Sequence, residues 1–279
     1  MSKDTLGERI KRLAEEEGKI EAIAWEDIKA LSSEFALPLK SVELAALESR
    51  VLPRRYLRNL GTIGWEGQAK LLRSTVAVIG LGGLGSNVLE SLARMGMGRL
   101  ILVDGDIFVD HNLNRQTLST EANLNNSKVE AAKARVGIIN SAVEVISHDF
   151  EATQENLPLL LKGSDIVVDA LDSITTRLML QETARKLSVP MVHGAIGGMI
   201  GQVMTILPGD EGLYTLYGRE RGPDRGIEVE QGCPAAMPML IGAIQVQEVI
   251  KVLVGIGDPL RCRMLIVDTE AGTMDVIHM

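Results

Sequence analysis

A chain of 279 residues with 46% hydrophobic side chains carries enough apolar material for a full core, arranged as one large α/β domain or as a domain with an appendage. Its formal charge of −8 and pI near 5.2 point away from nucleic acid or an anionic membrane as the main partner, and 3% aromatic residues leave little to stack on single strands. Its two cysteines, Cys233 and Cys262, have no C-x-x-C spacing, so no structural zinc is expected; with no apolar leader and no uninterrupted apolar run near the ~20 residues of a membrane span, a cytoplasmic protein is expected.

Residues 1–52 carry helical periodicity: Leu6, Ile10 and Leu13, then Ile20 and Ile23, then Ile28, Leu31 and Phe35. After the Leu37-Pro38 break, Ser41 is a candidate N-cap for a further helix with Val42, Leu44, Ala45 and Leu47. The spacing predicts a small helical appendage. Its acidic and basic residues interleave without a basic face, which favours a packing or docking element over a DNA-reading helix-turn-helix. Pro53 to Arg73, with Arg54, Arg55 and Arg58 ahead of Gly-Thr-Ile-Gly-Trp, reads as a polar linker.

From Thr75 strands and helices alternate regularly. Strands are expected at 75–79, 100–103, 142–147, 165–169 and 190–193, and helices at 84–95, 127–139, 154–161 and 174–186. That rhythm predicts an α/β fold with a Rossmann-like, mainly parallel, doubly wound sheet whose strand carboxyl ends share one edge. After His193 come an alternating segment at 201–206, a polar, glycine-rich loop at 208–232 that reads as a lid or binding loop, and an apolar helix at 240–253. Strands at 263–268 and 273–277 close an antiparallel C-terminal part.

The chemistry centres on Gly80, Gly82 and Gly85, which fit G-x-G-x-x-G: a tight turn, a close backbone approach to phosphate, and close packing of helix on strand. Asp104 ends the next strand, where a carboxylate can accept hydrogen bonds from a ribose. These residues suit NAD, FAD and ATP alike. The segment beyond Asp104 discriminates among them: a polar loop with Asp106, Asn112, Arg115 and Gln116, then Ser127 as a candidate N-cap and Lys128. A guanidinium and an ammonium suit a triphosphate better than a dinucleotide. A cation in a first helical turn also opposes the helix dipole, so Lys128 needs another role. Asp172, just past a strand end, either holds Mg²⁺ against a phosphate or caps the helix starting near Ile174. Asp169 is expected inside the strand, and His193 reads as structural. An NAD-dependent oxidoreductase stays open on the glycines and Asp104, and a non-catalytic nucleotide- or carrier-binding scaffold on the missing zinc site and the unexplained appendage at residues 1–52.

Taken together and in order, Arg55-Tyr56-Leu57-Arg58, the glycine turn, Asp104, Asn112-Leu113-Asn114-Arg115-Gln116, Ser127-Lys128-Val129-Glu130 and Asp172 resemble the ubiquitin-activating superfamily, in its bacterial MoeB/ThiF/HesA branch, over about residues 54–279. The resemblance implies an adenylyltransferase that uses ATP and Mg²⁺ to activate the C-terminal glycine of a small ubiquitin-like sulfur carrier ending in Gly-Gly, releasing pyrophosphate, in sulfur transfer for cofactor biosynthesis. It places Gly80, Gly82, Gly83, Gly85, Asp106, Gln116 and Ser173 around the nucleotide, with Asp104 on the ribose. Asn112, Arg115 and Lys128 would contact phosphates, Asp172 the metal, and Arg58 the partner subunit's site, implying a homodimer with composite sites. Three departures stand out: the zinc cysteines common in the branch are missing, Ser173 replaces a frequent Asn, and residues 1–52 lie outside the resemblance. Cys233 falls roughly where some relatives carry an accepting cysteine, and is otherwise an inert loop residue.

Overall fold

The computed structural model describes residues 4–218, 224, 226 and 228–279. The appendage begins with α1 (Leu6–Leu13), opened by a capping box in which Thr5 and Glu8 satisfy each other's backbone N–H. It continues with β1 (Glu15–Glu17), β2 (Ile20–Ile23), α2 (Trp25–Phe35), α3 (Leu39–Glu48) and β3 (Leu52–Pro53). The helix expected through Ile20 and Ile23 is instead an antiparallel hairpin, because Gly18 turns the chain at a φ of +69° that no α-helix continues through. Strand β3 adds in parallel to β2. Ile10, Ile23, Ile28, Leu31, Val42, Ala46 and Val51 close a core of their own.

Pro53 to Arg73 is not a linker. After a short 3₁₀ turn at Arg54–Tyr56 comes α4 (Leu60–Arg73), which Gly64, at a non-helical φ of +68°, divides into two helical segments. Ile63, Gly67 and Leu71, four residues apart, are buried on one face, and a Cβ on Gly67 would stand 2.9 Å from Val254. Glycines at 61, 64 and 67 conceal this helix from a reading by periodicity.

The main unit carries β4 (Thr75–Ile79), α5 (Gly83–Met95), β5 (Arg99–Val103), α6 (Lys128–Ile139), β6 (Glu144–His148), α7 (Leu157–Leu160), β7 (Ile166–Asp169), α8 (Ile174–Lys186), β8 (Met191–Gly197) and β9 (Ile200–Ile206). The short helices α9 (Tyr214–Tyr217) and α10 (Glu228–Gln231) fall in the expected loop, part of which lies outside the described residues. They precede α11 (Ala236–Ile250), β10 (Arg263–Asp268) and β11 (Thr273–His278). Eight strands form one sheet in the order β11-β10-β9-β8-β7-β4-β5-β6, parallel from β8 to β6 and antiparallel from β8 to β11. The sheet is covered on both faces, so β4 and β7 are buried at every position and apolar except at Thr75 and Asp169, at their ends.

Ala236–Gly255 is helical throughout and, by length and composition, long and apolar enough to cross a membrane, although Gln245, Gln247, Glu248 and Lys251 interrupt its apolar run. It packs as a core helix: Gly201 and Gly242 bring it close to β9 and α5, where a Cβ would stand 2.3 Å from Ile241 and 3.1 Å from Asn87 respectively.

Candidate active site

Strand β4 runs into Gly80, whose φ of +93° makes the tight turn. A Cβ there would lie 2.6 Å from the carbonyl oxygen of Ala170, and one on Gly85 only 1.9 Å from that of Gly80. The turn is therefore wedged between β7's exit and α5, and α5 starts at Gly83 with its unpaired N–H groups facing the carboxyl edge of the sheet.

A cavity of about 700 Å³ opens on that edge. Gly80, Gly82 and Gly83 form one wall, Asp104, Asp106, Arg115, Gln116 and Lys128 the next, Asp172 and Ser173 the third, with Cys233 also on the lining. Three anticipated residues do not line it. Gly85 packs helix on strand. Asn112 is buried with its Oδ1 accepting from the Val109 N–H at 3.1 Å, so it shapes the loop instead of facing the cavity. Arg58 sits on an exposed turn before α4.

Asp104 is held from two sides, accepting from the N–H of Leu81 at 2.6 Å and of Asp106 at 2.8 Å. Burial pushes its carboxyl up from the usual value, while Lys128 and those two N–H groups pull it back down. Lys128 is the first residue of α6, its helix capped by Ser127 Oγ. The lysine is only 5% exposed and pairs with Asp106 at 2.8 Å. A buried ammonium at the positive end of a helix is retained against both desolvation and the dipole. Gln116 is also buried, with its Oε1 lacking a partner among the described residues, and its Nε2 faces the Gly82 turn. Arg115 donates to the His111 carbonyl and to Asn114 Oδ1, which folds its guanidinium over its own loop while its Cγ lies beside Gly83. The Asn114 amide donates on to the carbonyl of Cys233.

The choice left open for Asp172 is narrowed, because α8 is capped by Ser173, whose Oγ accepts from the Thr176 N–H at 3.1 Å. Asp172 itself is exposed at the cavity. Asp169 is fully buried at the end of β7 and bonds His193 Nδ1 at 2.7 Å. Two further charged residues of the lining, Glu151 and Arg177, are not marked by any motif in the sequence. Arg177 lies five residues past Asp172 in the first turn of α8, a place where a cation opposes the dipole as Lys128 does, and that shared oddity was the available signal.

A family model described as "ThiF family" matches residues 56–279. The chain belongs to the ThiF family. The SAMP-activating enzyme E1 of Haloferax volcanii is 34% identical over 228 residues, spanning 80% of this chain and 84% of that one. The sulfur carrier protein adenylyltransferase of Thermus thermophilus is 35% identical over 223 residues, spanning 77% and 82%. A crystal structure of E. coli MccB with MccA-N7isoASN has a TM-score of 0.71 at 22% identity, covering 81% of this chain and 71% of that one, a likeness of fold. The ThiF-family chain is an adenylyltransferase, and that class uses ATP, which sets aside the oxidoreductase and scaffold alternatives.

Proposed function

We propose that the chain adenylates the C-terminal glycine of a small ubiquitin-like sulfur carrier ending in Gly-Gly, in the cytoplasm and within sulfur transfer for cofactor biosynthesis. The observation that carries this reading is the buried Lys128 ammonium standing with Arg115 on the phosphate side of the Gly80–Gly83 turn. The glycine carboxylate attacks the α-phosphorus, a P–O bond forms to the carboxylate, and the bond to the bridging oxygen breaks, so that pyrophosphate leaves with the electron pair. An anion attacking an anion needs charge neutralised where it develops. Lys128 and Arg115 supply fixed positive charge, Gly82 and Gly83 let backbone N–H groups approach the phosphates, and Asp104 holds the ribose.

Asp172 fits a magnesium site by its donor chemistry. Among the described residues no group of three His, Cys, Asp or Glu gathers to hold a metal alone. One exposed carboxylate completed by nucleotide phosphates is what Mg²⁺ usually takes, and the bound ion would neutralise phosphate charge. Arg58, exposed and away from its own cavity, suits insertion into a partner subunit's site in a homodimer. Cys233 places a thiol on the cavity wall, within reach of a covalent step after adenylation.

The test is ATP–pyrophosphate exchange with a Gly-Gly-ending carrier. Exchange requires the carrier, and Arg115→Ala and Asp172→Ala lose it; full exchange in both variants overturns the site. Mixing inactive Arg58→Ala with inactive Lys128→Ala restores part of the activity only if sites are composite.

A further inference from the structure

Four backbone polar groups leading up to Asp172 are restrained. The Asp169 carbonyl accepts from Gln245 Nε2 at 2.8 Å, and the Ala170 N–H donates to the Ile79 carbonyl at 3.0 Å. The Leu171 peptide is gripped at both ends by charged side chains. Its N–H donates to Asp169 Oδ1 at 3.1 Å, and its carbonyl accepts from Arg177 Nη2 at 2.5 Å. The residue after Asp172 is the helix cap.

Arg177 is 7% exposed, and its Nε stands 3.7 Å from Asp169 Oδ2, an ion-pair distance but not a hydrogen bond; Nε has no hydrogen-bond partner among the described residues. Asp169 directs the same oxygen to His193 Nδ1 at 2.7 Å. Burying a guanidinium and a carboxylate costs several kcal/mol per ion before their attraction is counted, and an apolar pair would fill the space without that cost. What an apolar pair could not do is hold both the N–H and the carbonyl of Leu171, and hence fix where the next residue starts.

We propose that Arg177 is a positioning residue: its bond to the Leu171 carbonyl, backed by Asp169, sets the Asp172 carboxylate for the magnesium–nucleotide complex. This rests on the reading of Asp172 as the metal-holding residue. Groups that orient a metal-binding carboxylate typically contribute 10–100-fold to metal affinity. Arg177 acts through the loop, so its loss weakens the metal-dependent part of binding and leaves the metal-independent part alone.

Calorimetry on the full chain separates the two parts, with ATP in chelator as one probe and ATP titrated with Mg²⁺ as the other. Arg177→Lys is expected to leave the chelator Kd within about twofold and to raise the Mg²⁺ needed for half-saturation roughly tenfold. In an Asp172→Asn background, Arg177→Lys should then add almost nothing, as residues acting in one unit do. Equal weakening with and without metal would overturn the proposal in favour of direct phosphate contact or general damage, and so would full additivity in the double variant. If Asp172→Asn does not shift the Mg²⁺ requirement, the metal reading of Asp172 fails and takes the proposal with it; if Asp172→Asn shifts it and Arg177→Lys does not, only the positioning role fails. Should Arg177→Lys not fold, Arg177→Gln, which leaves Asp169 bonded to His193, gives the same comparison.

Discussion

Asp169 at the cleft and Glu43 where the appendage meets the main unit are both fully buried, each beside an arginine, yet their surroundings differ in kind. Around Asp169, besides the His193 ring, the bonds run to backbone: the Leu171 N–H, and through Arg177 the Leu171 carbonyl. Around Glu43 they run between side chains from distant segments. Glu43 accepts from Tyr56 Oη at 2.9 Å, Tyr56 accepts from Asn140 at 3.0 Å, and Arg55 stacks over Trp25 at 4.1 Å. Backbone-directed charges fix a loop at a site, whereas a side-chain network rivets α3 to the end of α6. The cleft cluster should therefore govern chemistry, and the joint cluster attachment.

The strongest way to break that division is at the cleft. Lys128→Ala should lower pyrophosphate exchange on the order of 10²–10³-fold, the usual loss for one preorganised charge-stabilising group. A variant within tenfold of wild type would remove Lys128 from the charge-neutralising role. Tyr56→Phe probes the joint. It strips a hydroxyl from both Glu43 and Asn140 beneath Gly96, where the ring packs tightly enough that a Cβ would lie 2.5 Å away. About 2 kcal/mol of stability should go, lowering Tm by roughly 4–8 °C, with exchange unchanged. An exchange defect matching the stability loss would show that joint and cleft are one unit.

Acid should pull the two clusters in opposite directions. Burial lowers the His193 pKa, with Asp169 opposing, so the folded state holds its proton less readily than the unfolded chain. The stability from His193 is complete above its ordinary value of 6.5 and is lost as pH falls through it, by at most about 1.4 kcal/mol per pH unit. Burial raises Glu43, with Arg55 and Tyr56 opposing, so its contribution is greatest below the ordinary glutamate value of 4.5 and is lost as pH rises through the folded-state value. Thermal melts between pH 7.5 and 4 should show His193→Asn losing less stability on acidification than wild type and Glu43→Gln losing more. The reverse order in either variant would refute the assigned protonation states.

Much of this architecture was legible in the sequence because the parallel strands are buried on both faces and announce themselves as apolar runs such as 76–79. The glycine turn, Asp104, Arg115 and Lys128 converge because strand carboxyl ends share an edge, a topological rule that requires no coordinates. What failed did so for local reasons. Gly61, Gly64 and Gly67 concealed α4, and Gly18 made a hairpin where apolar spacing alone suggested helix. Arg177 was missed because its role depends on reaching back to Leu171 and across to Asp169, contacts that no periodicity reports.

Ser173 gives the finest separation of site from scaffold, since it lies on the cavity and was expected around the nucleotide, yet its Oγ accepts the Thr176 N–H and donates to Asp224 at 2.8 Å. Removing the hydroxyl leaves a first-turn N–H of α8 without its cap, a loss of about 1 kcal/mol and of a few degrees in Tm. Asn caps as well as Ser does, so Ser173→Asn should melt near wild type while Ser173→Ala should not. Because Ser173 directly follows Asp172, the same pair of variants reports on the metal. If the cap is the serine's whole contribution, the Mg²⁺ requirement for ATP binding should follow the melting temperatures, unchanged in Ser173→Asn and modestly raised in Ser173→Ala. A large rise in Ser173→Asn at normal stability would instead make the hydroxyl itself part of the metal and nucleotide contact.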